Sequence, residues 1–226
     1  MRIAVLGTGS VGRALARRLA EVDNEVTVGT RDVQATMARE TPDAFGNPPF
    51  AAWLEATGDV TVAALAEAAA TAEVVINATS GAASIDALTA AGKDNLAGKV
   101  VVDVANPLDA SAGMPPSLSV SNTDSLAERI QRRFPSARVV KTLNTMNAAV
   151  MVDPPLVGDG DHTVFLSGDD AGAKAVVSDL LTSLGWSDIV DLGDITTARG
   201  PEMLLPLWLR LFSALGTPRI QFKVVR

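Results

Sequence analysis

The chain has 226 residues, a formal charge of -7, 47% apolar residues, and no cysteine. The acidity argues against a nucleic-acid partner, since phosphate backbones reward basic surfaces. The missing cysteines exclude disulfides and thiolate metal sites, and the apolar share is that of an ordinary globular protein.

In chain order, short β-branched runs alternate with longer Ala-rich stretches, which predicts a parallel sheet covered by helices. Strands are expected at 2–6, 25–29, 73–78, 99–104, 138–143, 162–167 and 188–191. Val74-Val75-Ile76 and Val100-Val101-Val102 are apolar on both faces, as a sheet between two helix layers requires. Helices are expected near 10–22, 33–40, 63–71, 123–134, 171–184 and 196–214, with Ser125 and Glu128 spaced as a capping box for the fourth. Residues 41–58 read as a loop with a short helix, 107–122 as a surface loop, and 219–225 as a last strand after Gly216-Thr217-Pro218. The fold class expected is α/β: a Rossmann-type, doubly wound, mostly parallel sheet over 1–145, with a small C-terminal α/β extension over 146–226. No run is long and apolar enough to span a bilayer, and the chain opens directly into a strand, so a cytoplasmic location is expected.

The first strand-to-helix turn carries the strongest signal. Gly7-Thr8-Gly9-Ser10-Val11-Gly12 follows an apolar strand and opens an Ala/Leu/Arg helix, the context a dinucleotide fingerprint needs. Gly7 makes the tight turn, Gly9 lets the backbone approach a pyrophosphate, and Gly12 lets the helix pack on the strand. The pyrophosphate would then meet free N–H groups at the positive helix end.

The end of the second strand selects the dinucleotide. NAD-binding proteins place a carboxylate there to hold the ribose; here that position is Gly29, followed by Thr30 and Arg31. A hydroxyl and a guanidinium suit a 2′-phosphate, while Asp32 is placed to cap the helix starting at Val33. The cofactor expected is NADP. The third and fourth expected strands end in Asn77-Ala78-Thr79-Ser80-Gly81 and Asp103-Val104-Ala105-Asn106-Pro107. Both lie where ligands sit in open parallel sheets, which makes Ala78, Thr79, Ser80, Asn106 and Pro107 candidate cofactor contacts.

The residue inventory narrows the chemistry. Without tyrosine there is no Tyr–Lys pair, and without cysteine no zinc site of the alcohol dehydrogenase kind and no thiol nucleophile. The one histidine, His162, sits at a strand start and reads as structural. No catalytic side chain and no metal ligand is assigned.

The fifth expected strand runs into Lys141-Thr142-Leu143-Asn144-Thr145-Met146-Asn147. Taken with the glycine turn, Gly29-Thr30-Arg31 and Asn106-Pro107, this resembles the NADPH-dependent coenzyme F420 reductases and the oxidoreductase module of the STEAP ferric reductases. The resemblance covers nearly the whole chain. It implies a deazaflavin, coenzyme F420, stacked on the nicotinamide, with hydride passing directly between the rings and the protein supplying position. It also implies that Asn144, Thr145 and Met146 contact the nicotinamide or deazaflavin edge, with Asn106 and Pro107 in the same floor. The chain departs from the archaeal reductases in two places, reading Asn77-Ala78-Thr79-Ser80 where they resemble Thr-Ile-Pro-Trp and Asn144 where they tend to carry histidine.

The apolar stretch 202–212 is expected to be buried in the core or a homodimer interface, or to act as a lid, with a kink or new helix start at Pro206. Two other readings stand beside the reductase: an imine or pyrroline-carboxylate-type reductase, which needs a longer helical dimerisation domain, and a non-catalytic NADP sensor. The partner expected is a small-molecule redox acceptor, with no nucleic acid and no membrane.

Overall fold

The computed structural model describes residues 1–43 and 46–226; Ala44 and Phe45, within the expected 41–58 loop, lie outside the described residues. The elements run β1 (Arg2–Leu6), α1 (Ser10–Glu21), β2 (Glu25–Thr30), α2 (Val33–Met37), α3 (Phe50–Thr57), β3 (Val60–Ala64), α4 (Leu65–Thr71) and β4 (Val74–Asn77). They continue with α5 (Gly81–Ala91), α6 (Lys93–Leu96), β5 (Val100–Asp103), β6 (Leu108–Asp109), β7 (Ser117–Leu118), α7 (Leu126–Arg133) and β8 (Arg138–Lys141). The rest comprises α8 (Ala148–Val152), β9 (Thr163–Leu166), α9 (Ala171–Ser183), β10 (Asp188–Asp191) and α10 (Arg199–Leu215).

Six strands form one parallel sheet in the order β3-β2-β1-β4-β5-β8. The order reverses between β2 and β4 on either side of β1, which opens a crevice at the carboxyl end of β1. Alternation along each strand feeds two cores: Ile3, Val5, Ile76 and Val102 face one layer, and Ala4, Leu6, Val75 and Val101 face the other. This is the Rossmann-type arrangement expected, with both faces covered. Helix α1 buries Gly12, Leu15, Ala16 and Leu19 along one stripe, and each leucine so buried contributes about 1.5–3 kcal/mol.

After β8 the chain adds α8, α9 and the parallel pair β9–β10. An antiparallel bridge between Lys141 and Ser167, the residue after β9, joins this pair to the main sheet. Val177 and Leu181 of α9 share the apolar core of Val102 and Val140. His162 is buried, with Nε2 2.9 Å from the Pro154 carbonyl and its ring edge-on to Trp186.

Several boundaries differ from expectation. Val60–Ala64 is an edge strand, and the helix expected from 63 starts at Leu65. A further helix, α5, follows β4. The 107–122 loop contains the small hairpin β6–β7, and the helix expected over 33–40 stops at Met37. The expected strand 219–225 does not form: this segment gives one carbonyl, Phe222, to the Thr163 amide, and Val224 donates to a side-chain oxygen. A ladder needs a run of main-chain partners, and β9 has its ladder partner in β10. Helix α10 runs through Pro206 as one helix. Its apolar residues divide, with Leu205 and Trp208 buried and Met203, Leu207, Phe212 and Leu215 exposed. Among the described residues no helix is long and apolar enough to cross a membrane.

Candidate cofactor site

The glycine turn is built by close backbone approach. Gly7 has φ 128°, and a Cβ there would lie 2.5 Å from the Ala78 carbonyl oxygen. One on Gly12 would lie 2.1 Å from the Gly7 oxygen. Gly9 differs: a Cβ there would meet nothing within 4 Å. It serves as the N-cap of α1 without a side-chain cap, so the helix's first amides are open to an anion. Thr8 and Val11 are half-buried in the same turn.

The turn is braced from one side by Arg13. Its Nε donates to the Thr8 carbonyl at 2.8 Å and its Nη1 to Pro48 at 2.6 Å, while the guanidinium lies over the Phe50 and Trp53 rings. Burial lowers its pKa, opposed by the nearby Asp43 charge. Asn47 Nδ2 donates to the Ser10 hydroxyl at 2.7 Å.

At the end of β2, Gly29 has a packing role that sequence reasoning read as a cofactor choice. A Cβ there would lie 2.6 Å from Leu6 Cδ2 and 3.4 Å from Leu65 and Ala68, so the position faces α4 rather than a ligand. Thr30 is buried, its hydroxyl 2.8 Å from that of Thr36; accepting from Thr36 would leave its own proton to donate. Arg31 is exposed and makes no hydrogen bond or ion pair among the described residues. Asp32 accepts from the Ala35 amide at 2.8 Å, the cap expected of it, which turns its carboxylate into its own helix.

Beyond the ends of β4 and β5 lies a cavity of 210 Å³, bordered by Val11 of the turn, Ala78, Thr79, Ser80, Asn106 and Met146, with Met151 of α8. None of the described residues lining it is titratable. Gly81 is held at its rim, where a Cβ would come 2.1 Å from the Asn106 oxygen. Not every expected contact opens on this cavity. Pro107 and Thr145 are buried. Asn144 is 1% exposed, its Nδ2 donating to Asn106 Oδ1 at 2.9 Å and to the Pro201 carbonyl at 3.0 Å. Asn106 Nδ2 returns a bond to the Asn144 carbonyl at 2.8 Å. Asn144 therefore acts on the cavity through Asn106.

Beneath this wall runs a buried polar row that sequence reasoning did not find. Asn77, Asp103 and Lys141 are register partners at the carboxyl ends of β4, β5 and β8. Lys141 Nζ lies 2.9 Å from both Asp103 Oδ2 and Glu202 Oε1, and also donates to the Ala105 carbonyl. Burial pushes the ammonium pKa down, but the Asp103 and Glu202 carboxylates outweigh it and hold it above its ordinary value. Asp103 Oδ1 accepts from Asn77 Nδ2 at 2.8 Å, and Asn77 Oδ1 from the Thr79 hydroxyl at 2.7 Å. Glu202 accepts from the amides of Leu126 and Ala127, at 2.8 and 3.1 Å, at the start of α7. The one local clue was a lysine ending the apolar run Val139-Val140.

The description "NADP oxidoreductase coenzyme F420-dependent" belongs to the family model matched by residues 2–107. The F420-dependent NADP reductase of Methanocaldococcus jannaschii is 30% identical over 93% of this chain and 92% of its own length. Metalloreductase STEAP3 of Rattus norvegicus is also 30% identical over 92% of the chain, which spans 38% of that longer protein. A crystal structure from Arthrobacter sp. FB24, of a candidate F420-dependent NADP reductase, superposes with TM-score 0.96 at 62% identity, covering both chains fully. An imine reductase of Aspergillus terreus, 18% identical with TM-score 0.63 over 95% of this chain and 62% of its own, shares the fold alone. With a relative 30% identical over 93% of this chain and 92% of its own length, the chain belongs to the coenzyme F420-dependent NADP oxidoreductase family.

Proposed function

We propose that this protein transfers a hydride between NADP(H) and the deazaflavin coenzyme F420. The observation that carries this reading is the cavity at the switch point, reached from the glycine turn and lined without a titratable side chain. Such a wall suits a reaction in which both rings bring their own chemistry and the protein supplies placement. When bound, the two rings would supply the chemistry, a hydride passing from NADPH to the deazaflavin with a proton from solvent. Val11, Thr79, Asn106 and Met146 would hold them in place.

The chain's residues fit the dinucleotide along its length. The open space over Gly9 and the uncapped start of α1 suit the pyrophosphate, with Gly7, Thr8, Ser10, Val11 and Gly12 forming the cradle. Thr30 and Arg31 suit the 2′-phosphate, Arg31 through a charge that no described residue uses. Ala78, Thr79 and Ser80 border the ribose and pyrophosphate side. Asn106 and Met146 border the rings, backed by Pro107, Asn144 and Thr145. Residues 1–145 then form the NADP-binding part, and 146–226 complete the acceptor site through Met151 and the bond from Asn144 to Pro201. We place the protein in the cytoplasm, and the exposed Leu207, Phe212 and Leu215 of α10 fit a homodimer interface.

Loss of nicotinamide absorbance on mixing the protein and NADPH with F420, FMN, ferric chelates and cyclic imines tests the reading. Oxidation with F420 is expected; turnover confined to imines, or with no acceptor at all, overturns it. Light scattering on a Leu207→Glu/Phe212→Glu variant tests the dimer, whose mass should halve.

A further inference from the structure

We infer that Lys141, locked to Glu202, is a positioning residue that sets the cavity wall of Asn106 and Asn144 against the reacting rings. The inference rests on the proposed hydride transfer and adds which groups fix its geometry.

The row is costly to build. Two carboxylates and one ammonium lie where water is excluded, with Asp103 and Lys141 at 0 and 1% exposure. Such a cluster is weak evidence for stability, because apolar residues of similar size often serve as well. What it does is hold backbone. Lys141 binds the Ala105 carbonyl, and Asp103 accepts from the Ala105 amide at 3.2 Å, so the residue just before Asn106 is gripped at both polar atoms. Lys141 also grips Glu202, whose neighbour Pro201 gives its carbonyl to Asn144. Through Asp103 and Asn77 the row reaches the Thr79 hydroxyl on the opposite border.

Thr79, Asn106 and Asn144 thus hang on one ammonium whose three protons are all directed to protein oxygens. The two carboxylates exceed it by one charge. Two amides at the start of α7 and the Asn77 amide oppose that excess. No part of the row is left to bind a ligand, so its effect on the reaction is through placement alone. A wall displaced by about 1 Å is enough to slow a chemical step roughly 100-fold.

The test uses Glu202→Gln, which keeps the side-chain size and weakens the grip on Lys141, with Lys141→Met as the stronger variant. Expected for Glu202→Gln is NADPH affinity within about twofold of the parent, because the adenosine corner is untouched. Its single-turnover hydride transfer should fall roughly 10- to 100-fold, and the isotope effect with C4-deuterated NADPH should become more temperature-dependent. Unchanged hydride transfer, or equal losses in affinity and rate, would overturn the inference. A separate readout needs no turnover and can be taken on the parent protein even if both variants fail to fold. By NMR, the Asn144 side-chain amide protons should exchange slowly with solvent, held by Asn106 and Pro201, and this protection should be lost in Glu202→Gln. Rapid exchange in the parent protein sinks the inference. If the parent fails to reduce F420 while the NMR contrast holds, the hydride-transfer reading falls and the rigid wall stands.

Discussion

Two cations stand along the same carboxyl-terminal edge of the sheet, one just after β2 and one on the outermost strand β8. Arg31, after β2, is exposed and uses none of its five donors on a described residue. Lys141, at the end of β8, is buried with every proton directed to an oxygen of the protein. The two are suited to different work. A charge that recognises a ligand must stay unspent, and because it remains hydrated it costs the fold little. A charge that holds shape must be used up on the fold, where low dielectric makes its bonds strong and its loss severe.

The glycine turn sharpens this contrast, since it contains both kinds of position. The largest effect is expected from Gly12→Ala: its methyl would lie on the Gly7 carbonyl, so α1 must shift, with NADPH binding lost by more than about 100-fold and a fall in melting temperature as well. Calorimetric titration and a thermal melt together check it. Next comes Arg31→Ala, expected to weaken NADPH by roughly 10- to 100-fold while leaving NADH nearly unchanged; equal losses would contradict the assignment of the 2′-phosphate. Gly9→Ala should separate ligand from fold within one turn. With nothing within 4 Å of the new methyl and φ at -81°, melting should be unchanged, while NADPH binding falls about tenfold through loss of close approach.

The smallest effect tests an ion pair on the protein side of the comparison. Glu128 accepts from Arg199 Nε at 2.9 Å and Nη2 at 2.6 Å. Those hydrogen bonds hold its carboxyl below the ordinary range, opposed by burial and aided by Ser125. A depressed folded-state pKa gives stability that is present above the unfolded value of about 4.3 and lost as pH falls through the folded one. Glu128→Gln should therefore cost about 1 kcal/mol at neutral pH and flatten the acid limb of a denaturation series. An unchanged limb would show that the pair is too hydrated to matter.

Much of this was legible in the sequence, for reasons that were local. The Gly7–Gly12 turn, the Asp32 cap and the Ser125–Glu128 box each depend on residues within a few positions, as their hydrogen bonds show. Strand β3 escaped because its Val60–Ala64 alternation runs straight into the Ala-rich start of α4. Helix α5 escaped because it opens on glycine and carries mixed small residues. The Lys141–Glu202 pair spans 61 positions, and no spacing rule reaches that far. Asn144 was expected at a ring edge, yet its amide is committed to Asn106 and Pro201. That assignment turns on which oxygen a neighbouring loop presents, a tertiary fact.

The start of α7 has a consequence for how the molecule comes into being. Its first two amides are satisfied by a carboxylate that lies 76 and 75 positions downstream. On the ribosome, the strands β1 to β8 emerge well before Glu202 does. Until then α7 begins with orphaned donors, and Lys141 has only Asp103 and the Ala105 carbonyl as partners. The final helix is therefore the element whose arrival seals the nucleotide half, and a chain cut before residue 202 would carry a frayed helix beside an incompletely paired lysine.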